Sequence, residues 1–169
     1  MPYFKLADAL AFQASWFAIA FLKDDALWIV AAIIVLRLWL SPTPRADLTL
    51  GLLLLPVGMM GEYLLLSLDA LSYTSQWWLP FWMVGLWFVL LMTFNHSMSW
   101  LQKLPIWSHA LLGAGSGLLS YLAGERFDAL QVHSIPLIIL IWGGLLPLLV
   151  AVTKIINSQQ IRTGEINEN

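Results

Sequence analysis

The sequence predicts an all-α fold: a polytopic integral membrane protein with six transmembrane helices in one bundle and both termini cytoplasmic. Three observations carry this. Of 169 residues, 60% are hydrophobic and 11% charged, with a mean hydropathy of +0.79, whereas soluble domains carry about 25% charged residues. The apolar residues fall into runs near the roughly 20 residues that a helix needs to cross a bilayer. The basic residues gather at alternate joints between those runs. This composition excludes a water-soluble enzyme and a disordered chain. A formal charge of -2, from 8 basic and 10 acidic residues, leaves no basic footprint for nucleic acid. Cysteine is absent, so disulfides, thiolate nucleophiles and cysteine metal sites are excluded.

The six expected spans lie at about 5–22, 26–40, 48–68, 78–98, 106–124 and 135–153. Lys23-Asp24-Asp25 separates the first two. The second span is short unless flanking positions extend it. Ser41-Pro42-Thr43-Pro44-Arg45-Ala46-Asp47 ends it, because proline stops a helix and disfavours helix just before itself. Ser72-Tyr73-Thr74-Ser75-Gln76 is a polar turn, and Gln102-Lys103-Leu104-Pro105 and Glu125-Arg126-Phe127-Asp128 close the fourth and fifth spans. Residues 1–153 thus form the bundle. The polar tail from Lys154 to Asn169 reads as cytoplasmic and disordered. No internal repeat stands out that would point to an inverted-repeat transporter.

Orientation follows from basic residues in short loops. One side collects Lys5, Arg37, Arg45, Lys103, Lys154 and Arg162; the other has Lys23 and Arg126. Both termini are therefore expected in the cytoplasm. Ala18-Ile19-Ala20 resembles a signal cleavage site, but the apolar run continues through Phe21-Leu22, which favours an uncleaved first span. Among ten tryptophans, Trp28, Trp39, Trp77, Trp78, Trp100 and Trp107 fall at span ends, where amphipathic rings favour the headgroup level. Trp16, Trp87 and Trp142 fall mid-span and read first as packing residues.

Polar residues within the spans are the candidates for function, since a charge there costs about 2.5–3.5 kcal/mol on insertion scales. Glu62 lies about 14 residues, roughly 21 Å, from the cytoplasmic end of its span. Arg37 lies roughly 5 Å in by the same rise, too shallow to pair with it, which makes Arg126 the expected partner. Gly58, Glu62 and Asp69 share a helical face by spacing. Glu62 is a candidate for proton handling or headgroup binding; the structural alternative is a carboxyl bonded between helices. Asn95, His96 and His109 lie at similar depth to Arg37, so an Asn/His/His/Arg cluster facing the cytoplasm is geometrically available. Ser99 is one turn from His96. Two histidines without a carboxylate do not complete a zinc site, His133 is on the opposite side, and no metal or cofactor is assigned. Gln13 falls near mid-membrane beside Trp16, where a buried amide is expected to face other helices. Gly113 and Gly117, extended by Ser116, Ser120 and Gly124, form a small-residue stripe for close helix packing, within the chain or in a homodimer. His109 lies on it and is expected to point inward. Pro136 and Pro147, with Gly143-Gly144, are expected to bend the sixth span.

Three strings, Phe12-Gln13-Ala14-Ser15-Trp16-Phe17, Asn95-His96-Ser97-Met98-Ser99-Trp100-Leu101 and Leu111-Leu112-Gly113-Ala114-Gly115-Ser116-Gly117 with Ser120-Tyr121-Leu122-Ala123-Gly124, resemble a family of small bacterial inner-membrane proteins catalogued as a domain of unknown function. The resemblance covers nearly the whole chain. It departs at Leu118, where proline is expected, and at Glu62, where aspartate is expected. It implies six membrane helices in a bacterial inner membrane and supplies no activity; an association with lipid-modifying and stress-response genes tilts the expectation toward lipids. The leading expectation is a multi-pass protein that binds or transports a lipid or other amphiphile. The alternatives are a membrane enzyme modifying a lipid with Asn95, His96 and His109 at a cytoplasm-facing site, and a scaffold that holds a partner membrane protein.

Overall fold

A computed structural model of the chain describes residues 2–163. Among these, the α-helices are α1 Pro2–Leu22, α2 Leu27–Leu40, α3 Pro44–Ser67, α4 Phe81–Met92, α5 Ile106–Arg126 and α6 Ile135–Thr163. Two short strands, β1 Leu71–Tyr73 and β2 Leu130–Val132, pair antiparallel with Ser72 opposite Gln131. The remaining connections are turns and 3₁₀ segments, and the architecture is all-helical apart from the ribbon. Two helices, α3 and α6, are long and apolar enough to cross a membrane. At 14 and 12 residues, α2 and α4 reach about 21 and 18 Å.

Contacts sort the turns into two ends. The ribbon joins the α3–α4 and α5–α6 connections, and Ser75 Oγ donates to Asp24 in the α1–α2 turn at 2.9 Å. At the other end, Ser97 in the α4–α5 connection donates its backbone N–H to Asp8 of α1 at 3.0 Å, and Asn157 of α6 reaches Gln102 at 3.5 Å. The core between them holds Leu50, Leu54, Val89, Leu91, Leu149 and Val150, all nearly inaccessible.

Each of α1, α3 and α5 stops at the ribbon end on a left-handed residue: Lys23, Asp69 and Asp128, with φ of 53°, 52° and 55°. Aspartate tolerates this conformation better than most residues. In α3 and α5 the closure is the same. Ala70 N donates to Leu65 O at 2.8 Å and Ala129 N to Gly124 O at 3.0 Å, which satisfies the last carbonyls. Leu68-Asp69-Ala70-Leu71 and Phe127-Asp128-Ala129-Leu130 are therefore one corner used twice. Each corner feeds one strand of the ribbon, and a further helix follows each strand. The packing of these helices differs: α3 lies against α6, whereas α4 and α5 stand apart.

Two expected boundaries and one expected bend change. The fourth span was expected to run to 98, but α4 ends at Met92 and the chain unwinds through Asn95-His96-Ser97, whose polar groups bond other elements instead of a helical turn. Pro136 sits in the first turn of α6, where its missing N–H removes no bond; Pro147 alone is interior. The tail expected to be disordered from Lys154 is helical to Thr163, and 164–169 lie outside the described residues.

Candidate functional site

The polar side chains buried in the bundle gather in two clusters. In the first, Glu62 of α3 is fully buried and accepts three hydrogen bonds from three other elements. Tyr73 of β1 donates its hydroxyl to Oε1; Trp87 Nε1 of α4 and the Tyr121 hydroxyl of α5 donate to Oε2 at 3.0 and 2.9 Å. Trp87 reaches Glu62 because Gly58, one turn earlier, leaves space: a Cβ there would lie 2.5 Å from the indole. Trp87 then stacks on Trp142 of α6, centroids 5.3 Å apart and 13° from parallel. The partner expected for Glu62 is not used. Arg126 is exposed at the end of α5, and the three neutral donors take its place. Asp69 has left the helix and is exposed, so it does not share the buried face of Gly58 and Glu62.

The second cluster lies at the opposite end. Arg37 Nε donates to Asp8 Oδ1 at 2.6 Å, its Nη2 also contacts that oxygen, and Nη1 lies 3.6 Å from Asp47. His96 Nε2 is 2.8 Å from both Asp47 oxygens, so it carries the proton toward a carboxylate that can only accept. Asn95 Nδ2 donates to Asp47 at 3.0 Å, Ser41 donates to it at 2.5 Å and Ser97 Oγ donates to Asp8 at 2.5 Å. Phe4 stands edge-on to the His96 ring at 4.7 Å. Asp8, Arg37, Asp47 and His96 are all buried, so α1, α2, α3 and the α4–α5 connection are tied by polar groups facing one another, not water. Arg37, Asn95 and His96 come together as the sequence suggested. His109 does not join them: its Nε2 meets the Leu101 carbonyl at 2.7 Å. Ser99 donates to the His96 carbonyl at 2.8 Å and not to its ring, so these two form no serine–histidine pair; Ser72 and His133, at the ribbon, lie 2.9 Å apart instead. Among the described residues no group of three His, Asp or Glu side chains could hold a metal ion.

Where α4 and α5 stand apart, a cavity of about 400 Å³ opens between α1, α4, α5 and α6. Its walls are mainly apolar, with the large rings of Trp16, Trp82, Trp87, Trp142 and Tyr121 among smaller side chains. A further hollow of about 140 Å³ continues it past Met98 to Trp100 and Leu101 at the other end. Trp16 Nε1 donates to Ser120 Oγ at 3.0 Å, closing α1 over α5, and Phe21 meets Phe127 at 4.9 Å on the same seam. Gln13 lines the cavity but is exposed, contrary to the buried, helix-facing amide expected. The small-residue stripe divides between two neighbours. Gly113 and Gly117 accept Trp142, with a Cβ at either lying 2.3 Å from it, and Gly124 lies against Leu130. Ser120 binds Trp16 instead, and Ser116 lines the cavity and bonds its own helix at 2.6 Å.

The family described as Protein of unknown function (DUF2878) matches residues 5–148. This chain belongs to the DUF2878 family. The match takes in both polar clusters and the cavity. Comparison with curated proteins and with solved structures found no match.

Within this DUF2878 chain, the residues that sequence reasoning missed are Asp8, Asp47, Tyr73, Tyr121 and Trp82. Asp8 had a signal: a lone acid inside an apolar run, at the depth of Arg37. Asp47 was placed in a loop, one residue before the expected span, whereas α3 starts at Pro44. Tyr73 was placed in a polar turn, and only the ribbon brings its hydroxyl back to Glu62.

Proposed function

We propose that this protein is a six-span, multi-pass protein of the bacterial inner membrane, both termini cytoplasmic, that binds or transports a lipid-like amphiphile in the cavity between α4 and α5. The observation that carries the reading is the cavity itself. Its volume falls in the range of ligand pockets, about 300–1,000 Å³, and its wall is largely apolar, with Trp87 and Tyr121 bonding their polar atoms to Glu62 and Trp16 bonding its own to Ser120. Large apolar side chains are exposed on all six helices, among them Leu10, Val35, Leu52, Phe81, Leu119 and Leu140, as lipid contact requires. Trp28, Trp39, Trp77, Trp78, Trp100 and Trp107 are each at least 49% exposed near helix ends, which suits two interfacial belts. The enzyme and scaffold readings draw less support. Asn95 and His96 both serve Asp47, His109 serves a backbone carbonyl, and the glycines that a partner helix would need are filled by Trp142.

The test is mass spectrometry of small molecules that co-purify with the full chain in mild detergent, against Ser116→Phe. Ser116 lines the cavity and its hydroxyl bonds only its own helix, so the ring fills the space without breaking a tertiary bond. A discrete amphiphile present in the wild type and lost in the variant supports the reading. The same bulk phospholipid in both overturns it.

A further inference from the structure

We infer that the ligand is an anionic amphiphile with a single apolar chain, its headgroup held at the terminus end of the groove by Lys5 and Lys103. This rests on the reading of the cavity as an amphiphile site.

The chain number follows from the shape. The groove runs along α5 from Gly124 back to Leu112, about 18 Å at 1.5 Å per residue. Volumes of about 400 Å³ beside Ser116–Gly124 and about 140 Å³ toward Leu112 make a narrow slot along that line, near the small end of ligand pockets. It admits one hydrocarbon chain and not two side by side.

The head's place and sign follow from the charges at the two ends. At the ribbon end the described charges are Lys23, Asp24, Asp25, Asp69, Glu125, Arg126 and Asp128, a net negative set. At the terminus end Lys5, Arg45, Lys103 and Lys154 are exposed, while Asp8 and Asp47 are buried and already paired with Arg37 and His96. No exposed carboxylate offsets the lysines at that end among the described residues. Two of these cations belong to, or reach, the segment that ends the groove. The groove ends at Trp100 and Leu101, in the 3₁₀ segment Ser99–Lys103. Lys5 reaches that segment at Ser99 Oγ, 3.5 Å away, and Lys103 closes it. An anionic head at this position leaves its chain pointing into the slot.

The experiment uses the full chain in detergent and three photoactivatable probes on one saturated chain: a carboxylate, the matching alcohol and a lysophosphatidylglycerol. Labelled peptides are mapped by mass spectrometry. The carboxylate or the lysolipid should label α4 and α5 residues of the groove and should bind more tightly than the alcohol; which of the two binds better identifies a free acid or a headgroup as the source. Lys5→Gln and Lys103→Gln should each weaken the anionic probe roughly five-fold, as about 1 kcal/mol per surface lysine implies, and leave the alcohol unchanged. If the alcohol binds as well as the anions and the lysine variants change nothing, the anionic head is refuted while the groove stands. If no probe labels the groove, or if Ser116→Phe labels as strongly as the wild type, the amphiphile site falls and this inference with it.

Discussion

Glu62→Leu and Glu62→Gln should behave very differently, because the three donors to this carboxylate are not equivalent. Trp87 Nε1 can only donate, whereas a tyrosine hydroxyl donates or accepts. In Glu62→Gln the amide oxygen can take the Oε2 position, keeping Trp87 and Tyr121 at 3.0 and 2.9 Å. The amide nitrogen then faces Tyr73, whose hydroxyl rotates to accept. All three polar groups remain bonded. In Glu62→Leu all three lose their acceptor in the middle of the bundle. An unsatisfied buried group costs about 1–3 kcal/mol, and bonds between membrane helices average nearer 0.6 kcal/mol. Three such groups together put the loss at about 2–9 kcal/mol on those two scales. Unfolding in mixed micelles measures it, and near-ultraviolet circular dichroism reads the Trp87–Trp142 stack directly. The expected result is a Gln variant within about 1 kcal/mol of wild type with its aromatic signal intact, and a Leu variant that loses both. A Gln variant as unstable as Leu would refute the reasoning, since it would mean that the negative charge, not the acceptor geometry, holds the wall.

Two further outcomes follow from the packing. Gly113→Ala should destabilise by about 1–3 kcal/mol through overpacking, because its Cβ would lie 2.3 Å from the Trp142 carbonyl oxygen; Gly115→Ala, with nothing within 4 Å, should be neutral or slightly stabilising in the same unfolding assay. In this naturally cysteine-free chain, Ser72→Cys with Gln131→Cys should crosslink under mild oxidation, as directly opposed strand residues do; Ser72→Cys with Val132→Cys should not, because neighbouring strand residues point to opposite faces, and equal crosslinking of both pairs would disprove the register.

The helical elements were legible because each apolar run is punctuated by residues with strong local preferences. Pro44, Pro105 and the Asp-containing corners mark ends that physics enforces locally. Non-local pairings were less so. A lone aspartate in an apolar run looks the same whether it meets an arginine or a water-filled pocket, and depth along the helix was the only handle on Asp8 and Arg37. Depth reasoning separated Arg37 from Glu62 correctly, because the rise per residue is fixed. It chose Arg126 for Glu62 wrongly, because it considered charges alone; neutral donors on Tyr73, Trp87 and Tyr121 carry no such signature. The ribbon was invisible for the same reason: three-residue strands lie below any periodicity, and their pairing is long-range.

The distribution of tryptophan connects these points. Six of the ten sit at exposed helix ends and four line the cavity; of these four, Trp87 and Trp142 also pack against the glycines of α3 and α5. A buried indole usually finds a partner for its N–H, although Trp82 has none among the described residues. Trp87 delivers it to Glu62 behind the wall, and Trp16 delivers it to Ser120 across the seam. The buried carboxylate thereby turns the polar edges of Trp87 and Tyr121 away from the cavity and leaves their faces to it. Large rings from α1, α4, α5 and α6 thus occupy the space between α4 and α5, which make few direct contacts. If the proposed amphiphile binds there, walls already in place would spare it the cost of ordering them.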